Sequence, residues 1–225
     1  MIPALLAGIA VLAYLLGCIN ASGVMRRFFR RPRARYRRLG YGANGLLRIW
    51  RAYGWWGLGV TVGIDVVKTV AAVLIGGFVL SKFSGVDPTE TTADYAAVGK
   101  LFALYYVLLG HCYPAFRRFR GGRGTHCMLA GLLVVNSTIG FLAIVVFALL
   151  VAITRYPVLG TLVVAVLAPP LMWVENGMLG LAVMAAASLV LLWRSRRSIV
   201  RLLRRTEKKF DLAPDLSDKF NTENF

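Results

Sequence analysis

The stretch GHCYPAFRRFRGGRGTHC, Gly110 to Cys127, decides the fold of this chain. It holds four arginines, four glycines and both of the protein's histidines, yet apolar runs flank it on either side. So polar a segment has no place in hydrocarbon, so it must emerge from a membrane where one apolar helix ends and the next begins. Pro114 and the group Gly121, Gly122 and Gly124 interrupt helical periodicity and mark it as a turn.

The composition agrees. Of 225 residues, 58% are hydrophobic and 16% charged, and the mean hydropathy is +0.65, too apolar for a water-soluble globule. Several stretches approach or exceed the ~20 residues a helix needs to cross a ~30 Å hydrocarbon layer. The formal net charge of +17 would suggest nucleic acid in a soluble protein, but the positives are segregated. Ten lie in Arg26 to Arg51, four in Arg117 to Arg123 and eight in Arg194 to Lys209, whereas the loop around Asp87, Glu90 and Asp94 is acidic. That is the positive-inside pattern. Basic loops with interleaved aromatics beside membrane helices meet anionic headgroups or anionic substrates, which argues against a nucleic-acid partner.

The first span is predicted over Ile2 to Val24, followed by a basic loop, Met25 to Tyr53. The second runs from Gly54 to Leu80 and the third from Tyr95 to Leu109. From Cys127 to Trp193 the chain is apolar, with breaks at Asn136-Ser137-Thr138, Thr154-Arg155-Tyr156-Pro157 and Glu175-Asn176-Gly177. Those breaks divide it into four spans, with Arg155 inside and Glu175 outside. The prediction is an all-α polytopic membrane protein of seven transmembrane helices, the fourth and fifth short. Its N-terminus is outside and its C-terminus cytoplasmic. One domain covers residues 1–210, and the polar tail 211–225 is expected to be disordered. The opening run lacks a basic n-region and is read as a retained span rather than a signal peptide or lipoprotein leader. Cys18, Cys112 and Cys127 form no disulfide framework.

Three constellations carry chemistry. Arg120-Gly121-Gly122-Arg123-Gly124, leading into a helix, suits an anion: glycines let backbone N–H groups turn inward, a helix N-terminus adds positive charge, and arginine supplies a bidentate fork. It is not a Walker A loop, and the alternative is a solvated basic turn. Gly40-Tyr41-Gly42-Ala43-Asn44-Gly45 matches GxGxxG literally, but membrane spans flank it instead of a βαβ unit, so it is read only as a second backbone loop on the same face. Arg48 and Arg51 follow it at helical spacing. Asp65 and Lys68 sit at i, i+3 within the second span. Intramembrane charges cost roughly 2.5 to 3.5 kcal/mol each and normally pair toward the bundle interior. They mark either function or a helix-stapling ion pair. His111-Cys112 and His126-Cys127 lack the spacing of a metal site, and no Ser/His/Asp arrangement is evident around Ser137 or Ser195.

These residues together resemble the bacterial acyl-phosphate-dependent glycerol-3-phosphate acyltransferases, the PlsY type. The family pattern GHxFPxFxxFxGGKG reads here as GHCYPAFRRFRGGRG, keeping Gly110, His111, Pro114, Phe116, Phe119, Gly121, Gly122 and Gly124, with Arg123 for the lysine. YLLGSIP appears at Tyr14 to Asn20 with Gly17 kept, DxxKG as Asp65 to Thr69, and TRY as Thr154-Arg155-Tyr156. GSGNxGATNxxR aligns with GYGANGLLRIWR, keeping Gly40, Gly42, Gly45 and Arg51, while Tyr41, Ala43 and Arg48 depart from it. HRENIxRLxxGTE reads SRRSIVRLLRRTE, keeping Arg196, Ile199, Arg201, Leu202, Thr206 and Glu207; Ser195, Arg197 and Ser198 are substitutions. Val158 falls where the family commonly has serine.

The resemblance implies transfer of a fatty acyl group from acyl phosphate to the 1-hydroxyl of glycerol 3-phosphate, giving lysophosphatidate at the cytoplasmic face of a bacterial inner membrane. No cofactor or metal and no acyl-enzyme is implied, and the partners are the two substrates and membrane lipids. It casts Arg51, His111 and Arg123 as catalytic. Gly40, Gly42, Gly45, Arg48, Gly121, Gly122, Gly124, Arg155 and Arg196 would hold phosphate, and Asp65 and Lys68 would support the site within the membrane. The substitutions at Tyr41, Ala43, Val158, Ser195 and Ser198 leave open a lipid-binding or assembly protein that has lost catalysis, and bulky Tyr41 with the added charge of Arg48 and Arg197 leaves open an acyltransferase with an altered acceptor.

Overall fold

The computed structural model describes residues 1–19, 21, 24, 45–85 and 94–207, the side chains of 45–48, 51 and 52 excepted. Gly40, Gly42, Tyr41, Ala43 and the tail 211–225 lie outside the described residues. Its helices are α1 (Ile2–Gly17), α2 (Gly45–Phe83), α3 (Tyr95–Cys112), α4 (Thr125–Val135), α5 (Ser137–Thr154) and α6 (Pro157–Leu203), and a single 3₁₀ turn, Ala115–Arg117, follows α3. Among the described residues there is no strand. Tyr53–Phe83, Tyr95–Arg117, Ser137–Thr154 and Pro157–Leu203 are long and apolar enough to cross a membrane, whereas Ile2–Gly17 and Thr125–Val135 are shorter apolar helices.

Local chemistry places the helix ends. The Asp94 carboxylate accepts from the Ala97 amide at 3.1 Å to open α3, and Asn136 accepts from the Ile139 amide at 3.0 Å to open α5, each satisfying one orphan donor of a first turn. Arg155 closes α5 in a left-handed conformation with φ 58°, and Pro157 starts α6 where its missing N–H costs nothing. All three breaks expected between Cys127 and Trp193 are present as interruptions of helical backbone.

Two long helices are broken at glycine. Gly54 has φ 70° and ψ −162°, and Gly177 has φ 60° and ψ −152°, a region that side-chain-bearing residues avoid. At Gly177 the chain folds back on itself. A Cβ on Gly180 would collide with the Met172 carbonyl, although eight residues of continuous helix span about 12 Å. Residues 157–176 and 178–203 are therefore two helices joined at one residue. The sequence placed the start of the second span at Gly54; helix instead begins at Gly45, inside the expected basic loop, and turns at Gly54.

Helix α3 is the centre of the bundle, packing against α1, α2, α4 and α6. Its side chains Leu101, Leu104, Val107 and Leu108 are almost wholly buried. Close approach to α1 depends on small residues: a Cβ on Gly17 would run into the Val107 carbonyl and one on Gly110 into the Tyr14 carbonyl, the contact typical of membrane helices. By contrast α5 touches only α4 and α6 among the main contacts. It leaves Phe141 and Ile153 exposed, as a lipid-facing helix must.

Candidate active site

Two polar clusters meet at the end of α3, one shared with α1 and α2 and the other with α6. The first is buried. Lys68 Nζ lies 2.7 Å from Asp65 Oδ1, 3.0 Å from His111 Nδ1, and 2.8 Å and 3.4 Å from the carbonyls of Ile19 and Gly17. The last carbonyls of a helix have no intrahelical donor and carry its negative dipole end. Lys68 supplies donors and charge there at once. Helix α1 ends at Gly17, short of the expected Val24, and Lys68 meets it there. The same His111 Nδ1 also lies 3.4 Å from Asp65 Oδ1, so the ring is held between ammonium and carboxylate and its outer nitrogen is Nε2. That atom faces Gly122, where a Cβ would collide with it.

Donor atoms of Asp65, His111 and Cys127 lie within 4.8 Å of one another, the group best able to hold a metal among the described residues. Yet the Lys68 ammonium is already on two of the three. A metal would have to displace a resident cation from its carboxylate and both helix-end carbonyls. Cys112 faces elsewhere, its thiol donating to the Arg123 carbonyl at 3.5 Å.

The second cluster is built from the turn after α3. Arg118 and Phe119 both take left-handed φ, 52° and 57°, which brings the chain back so that Gly121 N donates to Cys112 O at 3.2 Å and Gly122 N to His111 O at 3.0 Å. These glycine amides thus cap α3, and they are not turned inward as the expected anion nest. The two glycine carbonyls accept from Arg194, at 2.5 Å for Gly121 and 2.9 Å for Gly122. Gly124, with φ 88°, is the N-cap of α4. What the loop delivers is the Arg123 side chain, whose Nη2 donates to Ser198 Oγ at 2.9 Å. Arg201 Nη2 donates to the same oxygen at 2.8 Å. Arg201 Nε also donates to Glu207 Oε2 at 2.5 Å, and Arg123 stands 3.9 Å from Glu207 Oε1. Burial, with Arg201 and Arg194 nearby, pulls the Arg123 pKa below the ordinary guanidinium value, and Glu207 opposes that pull. The group remains a cation at neutral pH.

The remaining candidates fall as follows. Arg155 is exposed at the α5–α6 junction, as the C-cap of α5. Arg196 points away from the cluster and stacks over the Trp193 ring at 4.2 Å. Gly45 opens α2, and Arg48 and Arg51 lie on its first segment, 45–53. Arg194 was not selected from sequence, and Arg201 and Glu207 only as retained family residues. A signal was there: Arg194, Ser198 and Arg201 are spaced i, i+4, i+7, one helix face. Ser195 Oγ is buried with no hydrogen-bond partner among the described residues.

Known proteins resemble this chain over most of its length. The family model described as glycerol-3-phosphate acyltransferase matches residues 7–205. A glycerol-3-phosphate acyltransferase of Clostridioides difficile is 36% identical over 201 residues, 89% of this chain and 93% of that protein. One from Thermoanaerobacter pseudethanolicus is 28% identical over 203 residues, 89% and 93% of the two chains. Among solved structures, PlsY, an integral membrane glycerol 3-phosphate acyltransferase crystallised in its glycerol 3-phosphate form, superposes with a TM-score of 0.74 at 23% identity, over 92% of this chain and 96% of that one. This likeness extends to the fold.

Proposed function

Because this chain belongs to the glycerol-3-phosphate acyltransferase family, we propose that it transfers a fatty acyl group to glycerol 3-phosphate in phospholipid synthesis, with acyl phosphate as donor. The observation that carries the reading is the convergence of Arg123 and Arg201 on one hydroxyl, Ser198 Oγ, beside Arg194 and at the polar end of an otherwise apolar bundle. Both substrates are phosphate anions, and guanidinium forks suit them. The donor is already activated, so positioning and charge stabilisation supply the catalysis. The 1-oxygen of glycerol 3-phosphate bonds to the acyl carbonyl carbon, the bond from that carbon to the phosphate oxygen breaks, and the departing phosphate takes the hydroxyl proton. The Arg123 cluster holds charge on phosphate, and His111, kept in orientation by Lys68 and Asp65, presents Nε2 toward the same turn.

Counting the pieces on either side of Gly177 separately, seven apolar helical segments among the described residues support the seven-span reading: α1, residues 55–83, α3, α4, α5, 157–176 and 178–203. The segregation of the basic blocks supports an outside N-terminus, a cytoplasmic C-terminus and a cytoplasmic active site in a bacterial inner membrane.

Purified protein incubated with palmitoyl phosphate and glycerol 3-phosphate is expected to form lysophosphatidate. Arg123→Ala should abolish turnover, with Arg123→Lys retaining most of it as the family lysine would. Absence of product under conditions where a family relative works would favour the lipid-binding reading raised by Val158 and Ser195. Unchanged activity in Arg123→Ala would show that the phosphate is held elsewhere.

A further inference from the structure

We propose that Glu207 is a resident counter-anion of the arginine cluster, setting how tightly the site grips phosphate and so which phosphate compounds it retains. The inference rests on the acyl-transfer reading only in taking this cluster as the place where substrate phosphate binds.

The chain end is shaped to deliver this carboxylate. Helix α6 stops at Leu203, Arg205 adopts φ 54°, and the Thr206 amide donates to the Arg201 carbonyl at 2.8 Å. This reversal folds Glu207 back over Arg201 until the residue is 7% exposed. Its two oxygens are in different situations. Oε2 accepts from Arg201 Nε. Oε1 faces Arg123 Nη2 at 3.9 Å, beyond hydrogen-bond reach, and has no hydrogen-bond partner among the described residues. Arg123 meanwhile donates to the neutral Ser198 hydroxyl. Glu207 is therefore coupled to Arg123 by charge and not by a bond that would hold the guanidinium in place.

Three half-buried guanidinium groups on two elements repel one another, and withdrawing them even partly from water without an anion is costly. One carboxylate offsets part of that repulsion while the site is empty. A phosphate monoester brings up to two negative charges and competes for the same donors, but it does so against the field of Glu207. The carboxylate thus weakens every anion by a similar factor. Ligands with few other contacts, such as inorganic phosphate, then fall below useful affinity, while substrates with further contacts stay bound. Product phosphate is released for the same reason.

The test uses full-length protein in detergent micelles, with inorganic phosphate as the probe. Glu207→Gln is nearly isosteric and keeps an oxygen acceptor for Arg201 Nε, but removes the charge. It is expected to tighten phosphate binding by roughly ten-fold by calorimetry, since a full charge acts across a few ångströms of partly shielded medium. The inhibition constant of phosphate and the KM for glycerol 3-phosphate should fall with it. A purely structural role predicts the opposite, a looser site with raised KM. Equal or weaker phosphate binding in folded Glu207→Gln overturns the assignment. If that variant does not fold, Glu207→Asp draws the charge back from Arg123 and should tighten phosphate about two-fold; no tightening overturns the assignment equally. If the wild type forms lysophosphatidate but phosphate affinity does not respond to the substitution, this inference alone falls. If phosphate affinity responds but no product forms, the counter-anion stands and the acyl-transfer reading falls.

Discussion

Lys68 shows how one side chain can couple three helices. It bonds Asp65 on its own helix, His111 on α3 and the carbonyls that close α1, all at positions where water is scarce. Removing one member of a buried ion pair leaves the other uncompensated, at about 3–5 kcal/mol. Lys68→Met is therefore expected to lose at least 3 kcal/mol in denaturant unfolding of the detergent-solubilised protein. The double variant Lys68→Met, Asp65→Asn should recover part of that loss, because the stranded carboxylate is gone. Additive losses in the double variant would show that the two charges do not act as a pair. The i, i+3 spacing made this pair legible in the sequence. Its third partner was not, because nothing in the order of residues tells which of the two histidines returns to residue 68.

Single glycines decide how the elements are divided. Gly177 holds a φ/ψ combination open to essentially no other residue, worth about 1–3 kcal/mol when forced on a side chain. Gly8 lies in an ordinary stretch of α1, and a Cβ there would meet nothing within 4 Å. Gly177→Ala should lower the melting temperature in detergent, whereas Gly8→Ala should leave it unchanged or raise it slightly through better helix propensity. Equal responses would refute the fold-back at Gly177. The Glu175-Asn176-Gly177 break was readable from its composition. That a single residue suffices there, with helix on both sides, was not, because turn chemistry in sequence does not distinguish a loop from a one-residue reversal.

At the scale of the molecule, the basic blocks and the acidic loop predict which ends face the cytoplasm. A phosphatase reporter fused after residue 90 should be active outside the cell membrane, and one fused after residue 205 inactive. The reverse result would invert the topology and place the Arg123 cluster on the outer face. That cluster is drawn from both halves of the chain: Arg123 follows α3, while Ser198, Arg201 and Glu207 come from the end of α6 and beyond. The bundle brings them together because α3 packs against α6.

The residues alone determined what depends on local pattern. Apolar runs of spanning length, segregated positive charge and glycine-proline punctuation specify a helical membrane protein, and the Gly110 to Cys127 motif places it in its family. They also singled out His111, Arg123 and the Asp65–Lys68 pair, since intramembrane charges and arginines among glycines are rare enough to stand out. Only the tertiary structure decided what each group does. The Gly121 and Gly122 amides cap α3 instead of facing a ligand, Arg196 lies over Trp193, and Arg194, Arg201 and Glu207 complete the cluster. The run after Trp193 carries arginines at 194, 196, 197 and 201, on more than one helix face. Which face turns inward is settled by packing against α3, and packing joins residues that the sequence keeps far apart.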